Sequence, residues 1–260
     1  MRDRIVRYAD PEPRYGLLAP DGGIRPLAGS PFESLETWGP ATHVERVRLL
    51  APVRPRSLYG AGLNYLGHAR EMGLSPPAYP MLFMKPSTAV VGPEAPIVYP
   101  REGLNVHFEA EIAVVIGKAG RRIPEARVRE HILGFTCGND VSEREIQAKE
   151  MKQGCLVLGK AFDSFNPLGP AIAVGLEPGG IDIVGRVNGV ERQRSNSADL
   201  VYSVAALIAH LSAGITLLPG DVIMTGTPAG VGPIVPGDVV EIECPDVGVL
   251  RNPVVAEPRE

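Results

Sequence analysis

Two glutamates, Glu109 and Glu111, lie two residues apart at the start of an apolar segment that runs to Gly117. Alternate side chains of a β-strand point to opposite faces, so both carboxylates would lie on one face of such a strand. The following residues, AVVI, are all apolar, which indicates a strand that is buried on both faces. Like charges held close together in a dry environment raise each other's pKa unless a cation or a donor lies between them. The pair therefore indicates that a cation or a donor is needed nearby.

A third carboxylate, Asp140, lies in the segment GNDVSEREIQ, in which Ser142 and Glu145 have the S-x-x-E spacing of a capping box. That spacing predicts a helix after Ser142 and places Asp140 in the preceding turn, from which its carboxylate can face a sheet. Two strand carboxylates and one turn carboxylate make a hard oxygen site that suits Mg²⁺ or Mn²⁺ and does not suit a tetrahedral structural zinc. The structural alternatives are a solvated strand face for the glutamates and a helix cap for Asp140.

A possible acid–base pair occurs in NYLGHAREMG, where His68 and Glu71 are three residues apart. Side chains at that spacing share one face of a helix, so the carboxylate can orient the imidazole and balance its charge. Such a pair can act as a general base toward water, and the structural alternative is an exposed pair on a surface helix.

Lys160, at the end of GCLVLGK, is a candidate cation. Ala161 follows it in place of the hydroxyl residue of a phosphate-binding loop, so we do not predict a nucleotide site.

The composition indicates an ordinary globular protein, because 44% of its 260 residues are hydrophobic and 22% are charged. The 26 basic and 30 acidic residues are scattered without a basic run, so we expect no nucleic-acid partner. The three cysteines are odd in number and widely spaced, so we expect no disulfides. The N-terminus lacks the apolar core of a signal peptide, so we expect a cytoplasmic protein.

The segment from Leu200 to Leu218 carries no Asp, Glu, Lys or Arg, yet its apolar residues follow one helical stripe. We therefore predict a helix on a core and no membrane association.

The pattern of turns and strands predicts an α+β, β-rich fold. Thirty glycines and 26 prolines indicate many turns and short strands. We predict that residues 1–50 form a small N-terminal β-rich domain and that residues 51–57 form a linker. Residues 58–260, which include all the candidate site residues, would form the catalytic domain. Strands predominate in the last part and helices are irregularly placed. We therefore predict a mixed β-roll or distorted sandwich rather than a parallel sheet of βαβ units.

Several long motifs occur in an order and spacing that resemble the fumarylacetoacetate hydrolase family over roughly residues 55–255. They include GAGLNYLGHAREMG, HFEAEIAVVIGK, GFTCGNDVSEREIQ, GKAFDSFNPLGP and PGDVIMTGTPAGVGP. The resemblance implies the C-terminal catalytic fold of that family, a small N-terminal domain and a homodimer. It implies that three side chains ligate Mg²⁺ or Mn²⁺, namely Glu109, Glu111 and Asp140.

The resemblance also implies roles for six other residues in the pocket. His68 and Glu71 would form the base pair on a closing lid, and Lys160 would contact the bound substrate. Three further residues would line the substrate pocket, namely Arg144, Gln147 and Thr227. Many members of the family carry an aromatic residue shortly before the lysine, where this chain has CLVL, so the part of the pocket that binds the far end of the substrate is not defined by the resemblance.

The H-x-x-E motif is similar to that of the acylpyruvate and fumarylpyruvate hydrolase branch, which implies Mg²⁺-dependent cleavage of a C–C bond in a 2,4-dioxo acid. The small-molecule partner would then be a 2-oxo acid that reacts through its enolate. Decarboxylation of an oxaloacetate-type acid, or isomerisation or tautomerisation of a 2-hydroxy-dienedioate, would use the same site and the same enolate. A non-catalytic relative that binds a metal and a dicarboxylate, and a biosynthetic cyclase or dehydratase, are alternatives of another class.

Overall fold

The computed structural model describes residues 2–258, of which far more lie in strands than in helices. The strands are β1 (Arg4–Asp10), β2 (Glu12–Leu18), β3 (Gly23–Pro26), β4 (Thr42–His43), β5 (Arg48–Leu50), β6 (Leu58–Gly62), β7 (Met81–Lys85), β8 (Val90–Val91), β9 (Ile97–Tyr99), β10 (Val106–Phe108), β11 (Ala110–Ile116), β12 (Ile132–Asn139), β13 (Ser142–Glu143), β14 (Asn166–Ala173), β15 (Asp182–Val187), β16 (Val190–Asn196), β17 (Val222–Met224), β18 (Gly232–Pro233), β19 (Val239–Cys244) and β20 (Gly248–Ala256). The α-helices are α1 (Leu66–Glu71), α2 (Arg144–Lys152), α3 (Leu158–Ala161) and α4 (Val204–Gly214). The 3₁₀ helices are Val44–Arg46, Ser87–Ala89, Glu125–His131 and Ser197–Asp199. The predicted β-rich α+β class is confirmed.

Most strands belong to one large mixed sheet, in the order β4-β3-β2-β1-β14-β12-β11-β17-β6-β7, with β5 beside β1 and β8 beside β14. Strand β17 runs parallel to β6, while the pairs on either side of β11 are antiparallel. A five-stranded sheet, β16-β15-β19-β20-β9, packs beside it, and a small third sheet has the order β13-β10-β18. The mixed assembly agrees with the predicted roll and not with a sheet of βαβ units.

The N-terminal strands extend the main sheet, because β1 pairs antiparallel with β14 at Arg4 and Ile5. Residues 51–57, which we predict as a linker, have no regular structure. Two of their side chains, Ala51 and Val53, are nevertheless buried in a hydrophobic cluster with residues of the main sheet. This segment is therefore held against the core by apolar contacts.

Strand β11 lies at the centre of the main sheet, and all seven of its residues are buried. Ile112 and Val114 pack into one hydrophobic cluster, while Ala113 and Val115 pack into another on the opposite face. The prediction of a strand buried on both faces is confirmed. Because side chains alternate, a slip of one residue would exchange the two faces, so the packing of β11 fixes its register. That register determines where Glu111 points, and it fixes the start of the strand that Glu109 directly precedes.

The apolar segment from Leu200 to Leu218 contains helix α4, which spans eleven residues and begins after Ser203. The Ser203 hydroxyl accepts a hydrogen bond from the backbone N–H of Ala206 at 3.1 Å, which caps the helix. Val204, Leu207 and Leu211 are buried on the core side of the helix. Within residues 2–258, no helix is long and apolar enough to cross a membrane.

Candidate active site

The three carboxylates predicted to bind a metal converge in the structure. One oxygen atom from each of Glu109, Glu111 and Asp140 lies within 4.8 Å of the others, and all three residues are buried. Glu109 lies between β10 and β11, Glu111 is the second residue of β11, and Asp140 directly follows β12. The backbone N–H of Asp140 donates to the Glu109 carbonyl at 3.0 Å. The pairing of β11 with β12 therefore brings the third carboxylate to the other two.

The predicted capping box at Ser142 and Glu145 is wrong. Helix α2 begins at Arg144, and its cap is Glu143, whose carboxylate accepts from the backbone N–H of Ile146 at 2.6 Å. Ser142 instead lies in the short strand β13, and its hydroxyl donates to the Asp140 carbonyl at 2.9 Å. The pairing of β13 with β10 keeps the backbone of Ser142 extended, which prevails over the local capping pattern.

The carboxylates of the site differ in how far their charge is balanced by neighbouring groups. Burial, and then the charges of Asp140 and Glu109, raise the pKa of Glu111 well above its usual range. Its only hydrogen-bond donor among the described residues is the backbone N–H of Gly226, at 2.7 Å. Burial would also raise the pKa of Glu109, but Lys160 and Arg144 outweigh that effect and lower it. Glu111 therefore carries the charge that the protein itself neutralises least.

This donor set fits the metal that the sequence predicts. Three buried carboxylates offer hard oxygen ligands at mutual distances that one cation can bridge, and a hard divalent cation such as Mg²⁺ or Mn²⁺ prefers such ligands. A divalent cation would also oppose the burial and the repulsion that together raise the pKa of Glu111. The arrangement therefore has the ligands for the ion, and Glu111 is the carboxylate whose charge the ion would balance.

Lys160 reaches the carboxylates from the short helix α3. Its Nζ donates to Glu109 Oε2 at 2.8 Å and to Asp140 Oδ2 at 2.6 Å. Burial alone would lower the pKa of Lys160, but Asp140 and Glu109 outweigh burial and raise it. Gly159 permits this approach, because a Cβ there would lie 2.6 Å from the backbone nitrogen of Gln147. The glycine–lysine pair thus lets α3 pack on α2 and aim its cation at the site.

A second lysine, Lys85 at the end of β7, also contacts Asp140 and was not identified from the sequence. Its Nζ donates to Asp140 Oδ1 at 2.5 Å and to the carbonyl of Phe165 at 2.7 Å. The side chain is completely buried, and burial lowers its pKa although Asp140 opposes that shift. The available signal was a lysine that ends the apolar strand MLFMK. Its partners lie 55 and 80 residues further along the chain, so no local pattern reveals them.

The predicted His68–Glu71 pair is present on α1, above the carboxylates. His68 Nδ1 lies 3.1 Å from Glu71 Oε2, and the histidine side chain is only 7% exposed, which excludes the alternative of an open surface pair. The other oxygen of Glu71 accepts from the backbone N–H of Gly230 at 2.9 Å, so α1 is fastened to the loop that follows β17. Because Nδ1 is engaged by Glu71, the remaining ring nitrogen, Nε2, is the one available to a ligand.

One narrow cavity of about 50 Å³ connects these groups. Eight of the nine predicted site residues line it: His68, Glu109, Glu111, Asp140, Arg144, Gln147, Lys160 and Thr227. Glu71 lies behind His68 and contacts the cavity only through it. A larger cleft of about 830 Å³, beside β1 and β5, contains none of the nine.

Arg144 and Gln147 occupy the polar wall formed by α2. Arg144 Nη1 donates to Gln147 Oε1 at 2.9 Å, and Arg144 Nη2 lies 2.6 Å from Glu109 Oε1, although its N–H bonds do not point at that oxygen. The contact is therefore an ion pair rather than an aligned hydrogen bond. The rest of the lining is apolar and comprises Ala61, Gly62, Leu63, Met72, Leu74, Met81, Phe83, Met151 and Leu156. Leu156 belongs to the CLVL segment, so the departure from the family pattern falls on this apolar part.

Comparisons with known proteins find matches to both the N-terminal part and the rest of this chain. The family model for the fumarylacetoacetate (FAA) hydrolase C-terminal domain matches residues 57–255, and the one described as Rv2993c-like, N-terminal, matches residues 3–52. Protein Rv2993c of Mycobacterium tuberculosis is 42% identical, over 97% of this chain and 98% of its own length. The Xenopus laevis protein named oxaloacetate tautomerase fahd2, mitochondrial, is 38% identical, over 97% of this chain and 90% of its own length.

A solved structure from Mycobacterium smegmatis, titled 5-carboxymethyl-2-hydroxymuconate delta-isomerase, superposes on this chain with a TM-score of 0.90. It is 41% identical and covers 98% of this chain and 100% of its own. At this identity the likeness extends beyond the fold to the family, and the implied catalytic fold is confirmed.

We expect Lys85→Met to destabilise the protein by about 3 kcal/mol, because it leaves the buried Asp140 with Lys160 as its remaining cationic partner and the Phe165 carbonyl without its donor. Urea unfolding in the presence of a chelator measures this loss. Lys149→Met, on the exposed side of α2, is the matched control and should change stability by less than about 0.5 kcal/mol. Equal stability of the two variants would show that Asp140 does not need Lys85.

We expect Glu111→Gln to raise the melting temperature of the metal-free protein at pH 8. A carboxyl whose pKa is raised in the folded state costs stability once the pH exceeds its ordinary value of 4.5, and the cost grows as the pH rises toward the folded pKa. The difference should therefore shrink at pH 5. Thermal melts in a chelating buffer at both pH values test this, with Glu145→Gln on the exposed side of α2 as the control. A wild-type protein that melts at or above the variant at pH 8 would contradict the prediction.

Proposed function

The chain belongs to the fumarylacetoacetate hydrolase family of enzymes, and on that basis we propose that it interconverts the keto and enol forms of a 2-oxo acid. The observation that carries the proposal is the buried His68, paired with the partly exposed Glu71, in the same narrow cavity that the three carboxylates line. A general base and an electrostatic site that stabilises an oxyanion are the two requirements for moving a proton beside a carbonyl group.

Glu109, Glu111 and Asp140 would hold the cofactor, which we propose to be Mg²⁺ or Mn²⁺. When bound, such a cation supplies a Lewis acid for the 2-oxo group and the neighbouring carboxylate of the substrate. Lys160 adds a positive charge beside the same position, because its ammonium is already held by Glu109 and Asp140. Its long side chain would hold that charge beside the developing oxyanion.

His68 would move the proton. Its Nδ1 is fixed by Glu71, and Glu71 is itself fixed by the Gly230 N–H, so the orientation of the ring is set before a substrate arrives. Nε2 can then take a proton from the carbon next to the 2-oxo group, and a proton is returned to the oxygen to give the enol. The atoms of the substrate are unchanged in number, and no water is consumed.

The requirements of the two reactions favour this one over hydrolysis. A proton shift needs only the base, whereas hydrolysis needs an additional water beside the substrate. The Xenopus relative and the Mycobacterium smegmatis structure are named for a tautomerase and an isomerase, both of which shift protons.

Hydrolysis of a 2,4-dioxo acid is the second candidate. Glu71 orients His68, so His68 Nε2 could also activate a water molecule. This reaction would need α1 to move away so that water can enter. Decarboxylation of oxaloacetate would use the same enolate and needs no base. The three reactions release different products, so a single type of experiment separates them.

The experiment is a proton NMR time course of the purified protein with oxaloacetate and, separately, with acetylpyruvate, each with Mg²⁺ and with a chelator. We expect Mg²⁺-dependent acceleration of keto–enol exchange without loss of carbon atoms. Acetate and pyruvate from acetylpyruvate would identify a hydrolase instead, and pyruvate from oxaloacetate would identify a decarboxylase. No acceleration of any reaction by protein and Mg²⁺ would contradict the proposed function.

We expect His68→Gln to slow keto–enol exchange by about 100-fold or more, because a positioned general base contributes about 10²–10⁴ in rate. Glutamine cannot act as a base, but it leaves the three carboxylates intact, so Mg²⁺ should still raise the melting temperature of the variant. His43→Gln, at a histidine on β4 that does not line the cavity, is the control and should retain wild-type rates. Unchanged exchange in the His68 variant would remove the residue from the mechanism.

We also propose that the chain forms a homodimer at the open edge of the main sheet. No described strand pairs with the outer edge of β7, and two large apolar side chains there, Met84 and Tyr79, are 55% and 69% exposed. Exposed strand edges and apolar patches are normally covered.

We expect Met84→Glu to convert the dimer into a monomer, because two like charges would face each other across the symmetric contact. Size-exclusion chromatography with light scattering measures the mass. Val190→Glu, at an equally exposed valine in the β15–β16 hairpin, should leave the dimer intact. A monomeric wild-type protein would contradict the proposal.

A further inference from the structure

Gln193, on β16, is a buried polar residue whose amide connects two segments of the active site. Its Oε1 accepts from the backbone N–H of Ala110 at 2.9 Å. Its Nε2 donates to Thr227 Oγ1 and to the Pro228 carbonyl, both at 2.7 Å. A backbone N–H can only donate and a carbonyl can only accept, so the orientation of the amide follows from its partners.

The two segments held by Gln193 are those that form the site. Ala110 lies between Glu109 and Glu111, and Thr227 lines the cavity. Gln193 itself does not line the cavity. The loop after Pro228 also lies directly on β16, because a Cβ at Gly230 would be 2.0 Å from the Arg192 carbonyl. Gln193 therefore fixes the distance between the metal-binding strand and the cavity wall without contacting a ligand.

The same contacts determine the polarity of the Thr227 hydroxyl. The Thr227 O–H donates to the Ala110 carbonyl at 2.9 Å, and the oxygen accepts from Gln193 Nε2. A hydroxyl has one proton and two lone pairs, so one lone pair is left. Toward the cavity, Thr227 can therefore act only as a hydrogen-bond acceptor.

We propose that Gln193 is a positioning residue that fixes the Thr227 hydroxyl as an acceptor, so that this wall of the cavity selects a ligand that offers a hydroxyl donor. An enol has such a proton, whereas a keto oxygen or a carboxylate oxygen has none and meets a lone pair. The inference rests on the proposed function in taking the ligand to be the enol of a 2-oxo acid. It adds that the protein distinguishes the two forms through a neutral hydrogen bond as well as through charge.

The first test compares two small acids in the presence of Mg²⁺. Glycolate carries a hydroxyl donor beside its carboxylate, and the oxalate dianion has acceptors only. We expect Thr227→Val, which is nearly isosteric, to weaken glycolate binding about fivefold, as for the loss of one hydrogen bond, and oxalate binding less than twofold. Thr227→Ser, which keeps the hydroxyl, should retain the wild-type preference. Isothermal titration calorimetry measures both affinities.

Equal weakening of glycolate and oxalate in Thr227→Val would overturn the inference while leaving the proposed function in place. A wild-type protein that binds neither acid with Mg²⁺ would overturn the proposed function and this inference with it. The two failures are therefore distinguishable.

The second test asks whether Gln193 acts through Thr227. Gln193→Met keeps the length of the side chain without its hydrogen bonds, and we expect it to reduce the preference for glycolate as Thr227→Val does. The double variant should lose little beyond either single variant, since both remove the same interaction. Losses that add, or an unchanged preference in Gln193→Met, would overturn the inference. Gln153→Met, at the exposed end of α2, is the control.

A general loss of stability in Gln193→Met would lower both affinities together, so the ratio of glycolate to oxalate affinity separates positioning from a merely structural effect. Circular dichroism establishes that each variant is folded. If Gln193→Met does not fold, the Thr227→Val and Thr227→Ser pair still decides the polarity of the hydroxyl, because those substitutions leave the Gln193 amide in place.

Discussion

The cost of burying three carboxylates together is the constraint on which the rest of this structure depends. Each ionised group that leaves water costs on the order of several kcal/mol unless it is paired, and here the three groups also repel one another. The fold answers with three cationic side chains from three separate elements: Lys85 from β7, Arg144 from α2 and Lys160 from α3. None of the three contacts Glu111, which keeps the raised pKa.

This balance of charge has a consequence for binding. Three carboxylates and three cationic side chains nearly cancel, so a divalent cation added to the site leaves an excess of positive charge. An anionic ligand with a carboxylate and a developing oxyanion would neutralise that excess in a low-dielectric cavity, where such interactions are strong. The affinity for an acidic substrate is then linked to the metal through charge alone. In the inference drawn above, groups of fixed polarity such as the Thr227 hydroxyl would supply the remaining specificity.

Two pairs of site residues could be predicted from local spacing, whereas Arg144, Gln147 and Thr227 were predicted only from the resemblance to a family. The spacing of Glu109 and Glu111 places both on one face of a strand, and the spacing of His68 and Glu71 places both on one face of a helix. The sequence could not reveal Lys85 or Gln193, because their partners lie 55 and 83 residues away along the chain. The same holds for Ser142, where strand pairing prevailed over a capping pattern. The sheet that extends the N-terminal strands into the catalytic region is likewise set by pairing between distant segments.

The cavity thus has two parts that are built under different constraints. Around the carboxylates, buried donors and acceptors are paired by long-range contacts, and a single substitution leaves a charge or a polar group without its partner. The opposite wall is apolar and includes Met72, Met81 and Met151, whose flexible side chains tolerate changes in the shape of a ligand. Substitution there alters volume without breaking a polar network. Under the proposed function, the centre would fix the chemistry of a 2-oxo acid, while the apolar wall, which includes Leu156, would set which group lies at its far end.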